Sequence, residues 1–208
     1  TSPIKGTIKR SEDPLIDNQL KEELSSSEKN IAENLMIVDV LRNDISRVSK
    51  KGSVEVTELA KIKSYKNVHH LVSTIKGLLA EKLDAIDLLF ATLPGGSITG
   101  APKIRAMEII SELEKNRRGV YCGAIGFISL SKDSDFNIPI RTLTIADDTI
   151  SINCGGGIVS DSNAESEYQE SIDKIENILK ENRKKIIKQS SNVNQKWLHI
   201  STVNLKEI

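Results

Sequence analysis

The alternation of apolar and polar residues predicts helices and strands in separate parts of the chain. Between Ile31 and Val48 the apolar residues recur every three or four positions, which is the spacing of one helix face. Because Met36, Ile37 and Val40 are apolar as well, we expect the middle of this helix to be buried on most sides. The pattern therefore predicts a long helix that packs deep in the fold.

Two further helices are predicted from residues that commonly cap helices. One should begin near Pro102, with Ser97 or Thr99 as its N-cap and the proline in its first turn. The other should begin at Ser162, which forms an S-x-x-E capping box with Glu165.

Segments with strand-like alternation lie between the helices. They read SVEVTELAKIKSY, VHHLVSTIKG, VYCGAIGFISL, FNIPIRTLTIA and TISINCGGGIV. Short polar turns separate the last three, which is typical of an antiparallel meander. Helices segregated from a mostly antiparallel sheet define an α+β fold, and that is the predicted class.

Composition and charge narrow the range of partners. Lys and Arg total 29 and Asp and Glu total 29, so the net charge is zero, which argues against broad capture of nucleic acid or acidic membranes. No apolar stretch approaches the ~18 residues of a membrane span. The two cysteines lack metal-binding spacing. We therefore expect a cytoplasmic protein with no nucleic-acid partner and no membrane association.

The glycine-rich run before the second helix does not match a nucleotide-binding loop. A Walker A loop needs Lys directly after its last Gly, whereas Ala101 and Pro102 separate Gly100 from Lys103. A turn that leads into a helix is the simpler interpretation. A carboxylate ligand at the helix N-terminus is the alternative.

Acidic residues in two of the predicted helices are candidates for binding a cation. Glu167 and Glu170 are three residues apart and project from one helix face, where two carboxylates can share a magnesium ion. An ordinary solvated acidic face is the alternative. Glu33 lies near the start of the long helix, where a buried carboxylate needs a cation or a hydrogen-bond donor.

The predicted strands carry candidate groups for binding an anion. The glycines at 155–157 permit close backbone approach to a ligand, although a bulge or tight turn explains them equally well. Strand alternation places Arg141 on the same side as Leu143, where it can grip a carboxylate, unless it lies on an edge strand. His69 and His70 should point to opposite faces, so only one of them can serve a site.

Lys5 is a candidate nucleophile. It lies between Ile4 and Gly6, and a lysine in an apolar pocket can lose its proton and attack a substrate. A solvated surface lysine is the common alternative. Patterns alone thus lead to an α+β domain with candidate anion and magnesium sites.

Seven segments, taken together and in order, resemble the chorismate-utilising enzymes. They run from residue 3 to about 180 and read PIKGT, AENLMIVDVLRND, VHHLVST, LPGGSITGAPKIRAMEII, RRGVYCGAIGF, PIRTL and GGGIVSDSNAESEYQES. Within that family the chain most resembles the aminodeoxychorismate synthases, since anthranilate synthases carry Ala at the position of Lys5. The resemblance implies part of a mostly antiparallel β-sandwich with helices packed outside.

The resemblance also implies a reaction and its alternatives. The reaction is amination of chorismate to 4-amino-4-deoxychorismate for para-aminobenzoate and folate synthesis, through a covalent Lys5 adduct. Ammonia would come from a glutamine amidotransferase subunit or fused domain. The alternatives are an anthranilate synthase component I and a chorismate-binding fragment without turnover.

Site residues are implied by the same resemblance. The catalytic residues would be Lys5 and His70. Mg²⁺ would be bound by Glu33 and Glu170, with Glu167 close by. The residues that would hold the substrate are Gly6, Thr7, Tyr121, Arg141, Gly155, Gly156 and Gly157.

The resemblance further implies the extent of the domain. Residues 1–185 would be the C-terminal portion of a chorismate-binding catalytic domain, and residues 186–208 a C-terminal extension, with an additional strand as the alternative. The resemblance also implies a general acid, a glutamate upstream of the PIKGT segment, and this chain begins after that position. We therefore expect that the chain alone can be inactive.

Overall fold

The chain folds into two compact units. The computed structural model describes residues 1–146, 149–160 and 162–176, together with the backbone of residues 198–201. The units are Thr1–Met107 and Glu108–Ile208. The domain limits at 185 and 186 remain a prediction, because most of the proposed extension lies outside the described residues.

The first unit packs helices against an antiparallel sheet. Its elements are β1 (Ile4–Lys9), α1 (Pro14–Ser26), α2 (Glu28–Ser46), β2 (Glu55–Ser64), β3 (Val68–Lys76), α3 (Ala85–Thr92), a 3₁₀ helix (Gly96–Ile98) and the start of α4 (Lys103–Leu113). The strands lie in the order β1-β3-β2. Val38 and Ile45 of α2 pack against Ile75 of β3, so the sheet and the long helix share one core.

The long helix α2 is confirmed, but it is not buried on most sides. Ile37 and Val38 are buried, whereas 39% of Met36 is exposed. Asp39 also faces solvent, where it accepts a hydrogen bond from Arg42. A helix that lies on a sheet buries only the stripe that faces the sheet, and the apolar residues outside that stripe stay partly exposed.

Two helices of this unit were not predicted, although each begins with a recognisable signal. Asp13 caps α1 by accepting a hydrogen bond from the Leu15 amide, and Pro14 follows at the first helical position. Asp84 and Asp87 form a reciprocal capping box at the start of α3. The sequences DPLI and DAID contain these capping residues.

The second unit contains the remaining strands and a helix. In chain order its elements are β4 (Ile125–Ile128), β5 (Ser134–Asn137), β6 (Thr142–Ala146), β7 (Thr149–Asn153), α5 (residues 164–176) and β8 (Leu198–Ser201). β4 pairs with β5, and β6 pairs with β7, both antiparallel. β8 adds a parallel strand beside β7. Ile152, Cys154 and Ile175 form a small core between β7 and α5.

The predicted three-stranded meander is wrong in one segment. FNIPIRTLTIA forms two strands that belong to different sheets, because β5 ends at Asn137 and β6 begins at Thr142. Pro139 lies between them and cannot donate to a strand ladder. Arg141 adopts a positive φ of 51°, which also breaks an extended strand. The mostly antiparallel α+β class is nevertheless confirmed.

The predicted cap of α4 is also wrong. The Ala106 amide donates to the Pro102 carbonyl, so the proline is the N-cap residue and precedes the first turn. The Thr99 hydroxyl donates to the Gly95 carbonyl at 3.0 Å and therefore stabilises the preceding turn.

The cap of α5 lies one residue beyond the predicted one. Asn163 Oδ1 accepts a hydrogen bond from the Ser166 amide at 3.1 Å, so Asn163 is the N-cap. The Ser162 hydroxyl instead donates to the Glu167 carboxylate. Glu165 is exposed and takes no part in a capping box with Ser162. Among the described residues, no helix is long and apolar enough to cross a membrane.

Candidate active site

Lys5 of β1 and Glu33 of α2 form an ion pair in the first unit. Lys5 Nζ lies 2.8 Å from Glu33 Oε2, and the two side chains are 31% and 16% exposed. The pair joins a strand to a helix that lies far from it in the sequence. The structure thus brings together the predicted nucleophile and one predicted metal ligand.

A bulge at Gly6 shapes the strand beside this pair. Ile4 pairs with Val72 and Thr7 pairs with His70, so β1 contains one extra residue between the two pairs. Gly6 has a φ of +96°, which other residues rarely adopt.

The close packing around Gly6 gives a second reason for glycine. A Cβ atom there would lie 3.1 Å from side-chain atoms of both Asn30 and Leu24. Gly6 therefore lets α1 and α2 approach the strand next to Lys5.

His70 of β3 lies directly opposite Thr7 of β1. Its Nδ1 atom lies 2.8 Å from Thr7 Oγ1 on the neighbouring strand. Partial burial lowers the pKa of His70 below its ordinary value, which favours a neutral imidazole at neutral pH. The prediction that His69 and His70 point to opposite faces of β3 is confirmed by their different partners.

His69 belongs to a buried polar network that was not predicted. Its Nε2 atom lies 2.9 Å from Asp17 Oδ1, and its Nδ1 atom lies 2.8 Å from Ser64 Oγ. Asp17 also accepts two hydrogen bonds from Arg10. The Arg10 guanidinium, with help from His69, holds the pKa of the Asp17 carboxyl far below its ordinary range. This network fastens α1 to the end of the β2–β3 hairpin.

The glycine run of the second unit is approached closely by two site residues. A Cβ on Gly155 would lie 3.1 Å from the Tyr121 hydroxyl, and a Cβ on Gly156 would lie 3.0 Å from Glu167 Oε2. Gly157 continues the same irregular stretch. Burial raises the pKa of Tyr121, so its hydroxyl stays protonated and can donate to an anion.

Lys174 joins the predicted acidic pair to the glycine run. Its ammonium lies 2.6 Å from Glu170 Oε1 and donates to the Gly155 carbonyl at 3.2 Å. Glu167 accepts a hydrogen bond from Ser162 at 2.7 Å. The sequence analysis missed Lys174, although its position four residues after Glu170 places both on one helix face.

Arg141 does not lie in a strand, so the argument from strand alternation is wrong. It occupies an exposed bend before β6, at the positive φ described above. Burial raises the pKa of Cys154, and the positive charges of Lys174 and Arg141 partly oppose that shift. Arg141 therefore acts electrostatically near the end of β7, and its role in carboxylate binding stays a prediction.

The predicted metal ligands are distributed over the two units. Glu33 lies in the first, and Glu167 and Glu170 lie in the second. Within the described residues of the chain, no three His, Cys, Asp or Glu side chains cluster as a metal site. The donor chemistry fits Mg²⁺ nonetheless, because Mg²⁺ prefers carboxylate oxygens. Glu33 and Glu170 each already attract a lysine ammonium.

Comparison with known proteins places these features in one family. The model of the chorismate binding enzyme family matches residues 1–180. Aminodeoxychorismate synthase component 1 of Escherichia coli K12 is 55% identical over 181 residues, which are 87% of this chain and 40% of that protein. Anthranilate synthase component 1 of Aquifex aeolicus is 48% identical over 180 residues, covering 86% of this chain and 36% of that protein.

Solved structures agree with this assignment. Anthranilate synthase component I of Streptococcus pneumoniae matches with a TM-score of 0.70 and 44% identity, over 84% of this chain and 38% of that one. The isochorismate synthase MenF of Escherichia coli matches with a TM-score of 0.70 and 27% identity, over 84% and 40%. The chain thus spans about two-fifths of the length of its relatives. On the strength of the family match over residues 1–180, the chain belongs to the chorismate binding enzymes.

Proposed function

We propose that this chain is part of an enzyme that aminates chorismate to 4-amino-4-deoxychorismate, a step toward para-aminobenzoate and folate. The 55% identity to an aminodeoxychorismate synthase component 1 supports this choice. The proposal depends on Lys5, because its amine lies beside the Glu33 carboxylate at the bulge in β1. The word component in the relatives' names supports a partner, which we propose to be a glutamine amidotransferase that supplies ammonia.

Lys5 would act as the nucleophile in the first of two substitutions. Its Nζ forms a bond to ring carbon 2, both ring double bonds shift, and the hydroxyl at carbon 4 leaves as water after protonation by a general acid. Ammonia then forms a bond to carbon 4, both double bonds shift back, and the lysine amine leaves carbon 2. The proton that the new amino group loses balances the one that the departing lysine nitrogen takes up. Covalent catalysis replaces one difficult substitution by two easier ones.

Glu33 would hold the amine of Lys5 in place. An ammonium has no lone pair, so Lys5 must lose a proton before it attacks. Glu33 Oε2 lies 2.8 Å from Nζ and fixes its position, and positive charge from Mg²⁺ held nearby would favour the neutral amine.

The other residues would bind a substrate that carries two carboxylates. The protonated Tyr121 hydroxyl and the amides of the glycine run are donors suited to an anion. Lys174 and Arg141 add positive charge in the same unit. Glu33, Glu167 and Glu170 would offer carboxylate oxygens to Mg²⁺, and the ion would neutralise the ring carboxylate of the substrate. His70 would lie beside the reacting ring as a polar partner.

Product analysis by mass spectrometry tests the proposal. The chain, and the chain extended upstream to the length of its relatives, are incubated with chorismate, Mg²⁺ and ammonium. We expect an aminated product that retains its enolpyruvyl group, formed by the extended protein. Lys5→Ala should lower its rate by at least about 10³-fold, the scale on which other covalent enzymes respond to loss of their nucleophile.

Lys9→Ala is the matched control, because Lys9 is an exposed lysine of the same strand. Equal activity of the Lys5→Ala and Lys9→Ala variants would overturn the proposed nucleophile. An ortho-amino product without the pyruvyl group would instead identify an anthranilate synthase, which the 48% identity to such an enzyme makes the second candidate.

A further inference from the structure

The imidazole of His70 is contacted by side chains on two sides. Thr7 lies directly opposite it on β1, with its hydroxyl oxygen 2.8 Å from Nδ1. Tyr65 lies in the turn between β2 and β3, and its ring meets the imidazole at a centroid distance of 5.4 Å and an interplanar angle of 60°. One contact is polar and the other is an edge-to-face ring contact.

The turn that carries Tyr65 is held by its backbone. Its amide donates to the Val68 carbonyl at 2.8 Å, and its carbonyl accepts a hydrogen bond from Arg10 at 3.1 Å. Arg10 is itself bound to the buried Asp17. The Tyr65 ring is half exposed, but the backbone from which it extends is tied into the buried network.

Thr7 is placed by strand pairing and by the bulge at Gly6. Its hydroxyl makes no other hydrogen bond to any residue that the structure describes. At 2.8 Å the hydroxyl can donate to Nδ1, or an Nδ1–H can donate to the hydroxyl, according to the tautomer. A neutral imidazole that accepts at Nδ1 carries its own proton on Nε2.

We propose that Thr7 and Tyr65 are positioning residues for His70. The Thr7 hydroxyl holds the ring in the Nε2–H tautomer, and the Tyr65 edge restricts its rotation. His70 then offers a hydrogen-bond donor, and not a base, on the side of the ring away from Thr7. The meaning of this donor for catalysis rests on the proposed function, whereas the tautomer and the orientation belong to the free protein.

Nitrogen NMR of the histidine rings tests the tautomer directly. The sequence contains three histidines, His69, His70 and His199, so the spectrum of a ¹⁵N-histidine-labelled chain is simple. His70 is assigned by its loss in His70→Gln. At pH 8, long-range ¹H–¹⁵N correlations should show the pattern of an Nε2–H ring for His70. A wild-type pattern of the Nδ1–H ring would overturn the proposal without any further variant.

Variants at Thr7 separate positioning from general packing. Thr7→Ser keeps the hydroxyl and should keep the wild-type pattern. Thr7→Val removes it and should move both nitrogen resonances toward a mixture of tautomers. Thr57→Val is the matched control, an exposed strand threonine that bonds elsewhere. If Thr7→Val leaves the His70 resonances as unchanged as Thr57→Val does, Thr7 has no such role.

Variants at Tyr65 test the ring contact in the same spectra. Tyr65→Phe keeps the aromatic edge and should preserve the His70 ring-proton shifts, whereas Tyr65→Leu should displace them. The resonances of His69, held by Asp17 and Ser64, report that each variant is folded. Equal shifts in the Phe and Leu variants would overturn the role of Tyr65. No chorismate is present, so failure of the proposed reaction leaves these results unaffected.

Discussion

The ion pair of the first unit and the ion pair of the second unit form in different ways. In the first, Lys5 and Glu33 come from a strand and a helix far apart in sequence, and both side chains are largely buried. In the second, Glu170 and Lys174 are four residues apart on one helix, and 56% of the Glu170 side chain is exposed. The first pair exists only when β1 packs beside α2, whereas the second needs only a helix.

This difference predicts different sensitivities to substitution. Ion pairs and hydrogen-bond networks between residues distant in sequence lose their geometry when the packing between their elements is disturbed. Local pairs are screened by solvent and depend mainly on helix formation.

The largest effect is expected at Asp17, which joins α1 to β3. Asp17→Asn removes the carboxylate that accepts hydrogen bonds from Arg10 and His69. Because folding lowers the pKa of Asp17, its contribution is fully present above the ordinary value of about 3.9. That contribution is lost as the pH falls toward the lower folded value.

Urea unfolding between pH 2 and pH 7 measures this effect. The wild-type protein should lose stability below about pH 4, and Asp17→Asn should be less stable at pH 7 and show a flatter acid profile. Asp39→Asn is the control, since that side chain is exposed. Identical profiles of the two variants would contradict the role of the buried network.

A second effect is expected on the magnesium requirement of the extended enzyme. Glu33→Gln and Glu170→Gln should each raise the Mg²⁺ concentration for half-maximal activity by at least about 10-fold, because loss of even an outer-shell partner of a metal ligand typically costs about 10–100-fold in affinity. Titration calorimetry with Mg²⁺ supplies a second readout. Glu165→Gln, an exposed carboxylate of the same helix α5, should leave both unchanged. A response of Glu170→Gln no larger than that control would remove Glu170 from the metal site.

A smaller effect is expected at the start of α5. Asn163→Ala removes the side chain that accepts from the Ser166 amide, and should lower the free energy of unfolding by about 1 kcal/mol. Asn163→Asp should restore most of it, because an aspartate also caps well. Denaturant unfolding measures both. An unchanged free energy of unfolding in Asn163→Ala would contradict the assignment of Asn163 as the cap.

The smallest effect is expected for the ion pairs themselves. Double-mutant cycles that measure the free energy of unfolding should give about 0.3–0.5 kcal/mol for Glu170 with Lys174, as for other exposed helix pairs. The Lys5–Glu33 pair, being less exposed, should give about 1 kcal/mol. A larger coupling in the helix pair would reverse the contrast between the two units.

Part of the fold followed from local patterns. The helix around Ile37, the helix α4 and the strands β2 and β3 were predicted, because helix and strand periodicities are short-range properties. The caps were predicted less well, since several candidate residues stood within three positions of each helix start. Ser162 and Asn163 are both good N-caps, and only the backbone decided between them.

The candidate site was also predicted only in part. Local spacing identified Glu167 and Glu170 as residues of one helix face and assigned His69 and His70 to opposite faces of a strand. The resemblance to a family supplied the roles of Lys5 and Glu33. Neither source indicated that these two side chains form an ion pair.

The sequence by itself determined the α+β class, the family and most elements, because these depend on residue order over a few turns or on motif identity. Tertiary structure decided the Lys5–Glu33 pair and the network of Asp17 and His69, since residues distant in the chain meet only after packing. It also decided that Arg141 leaves the strand, because a positive φ depends on the local backbone path that sequence alternation does not encode.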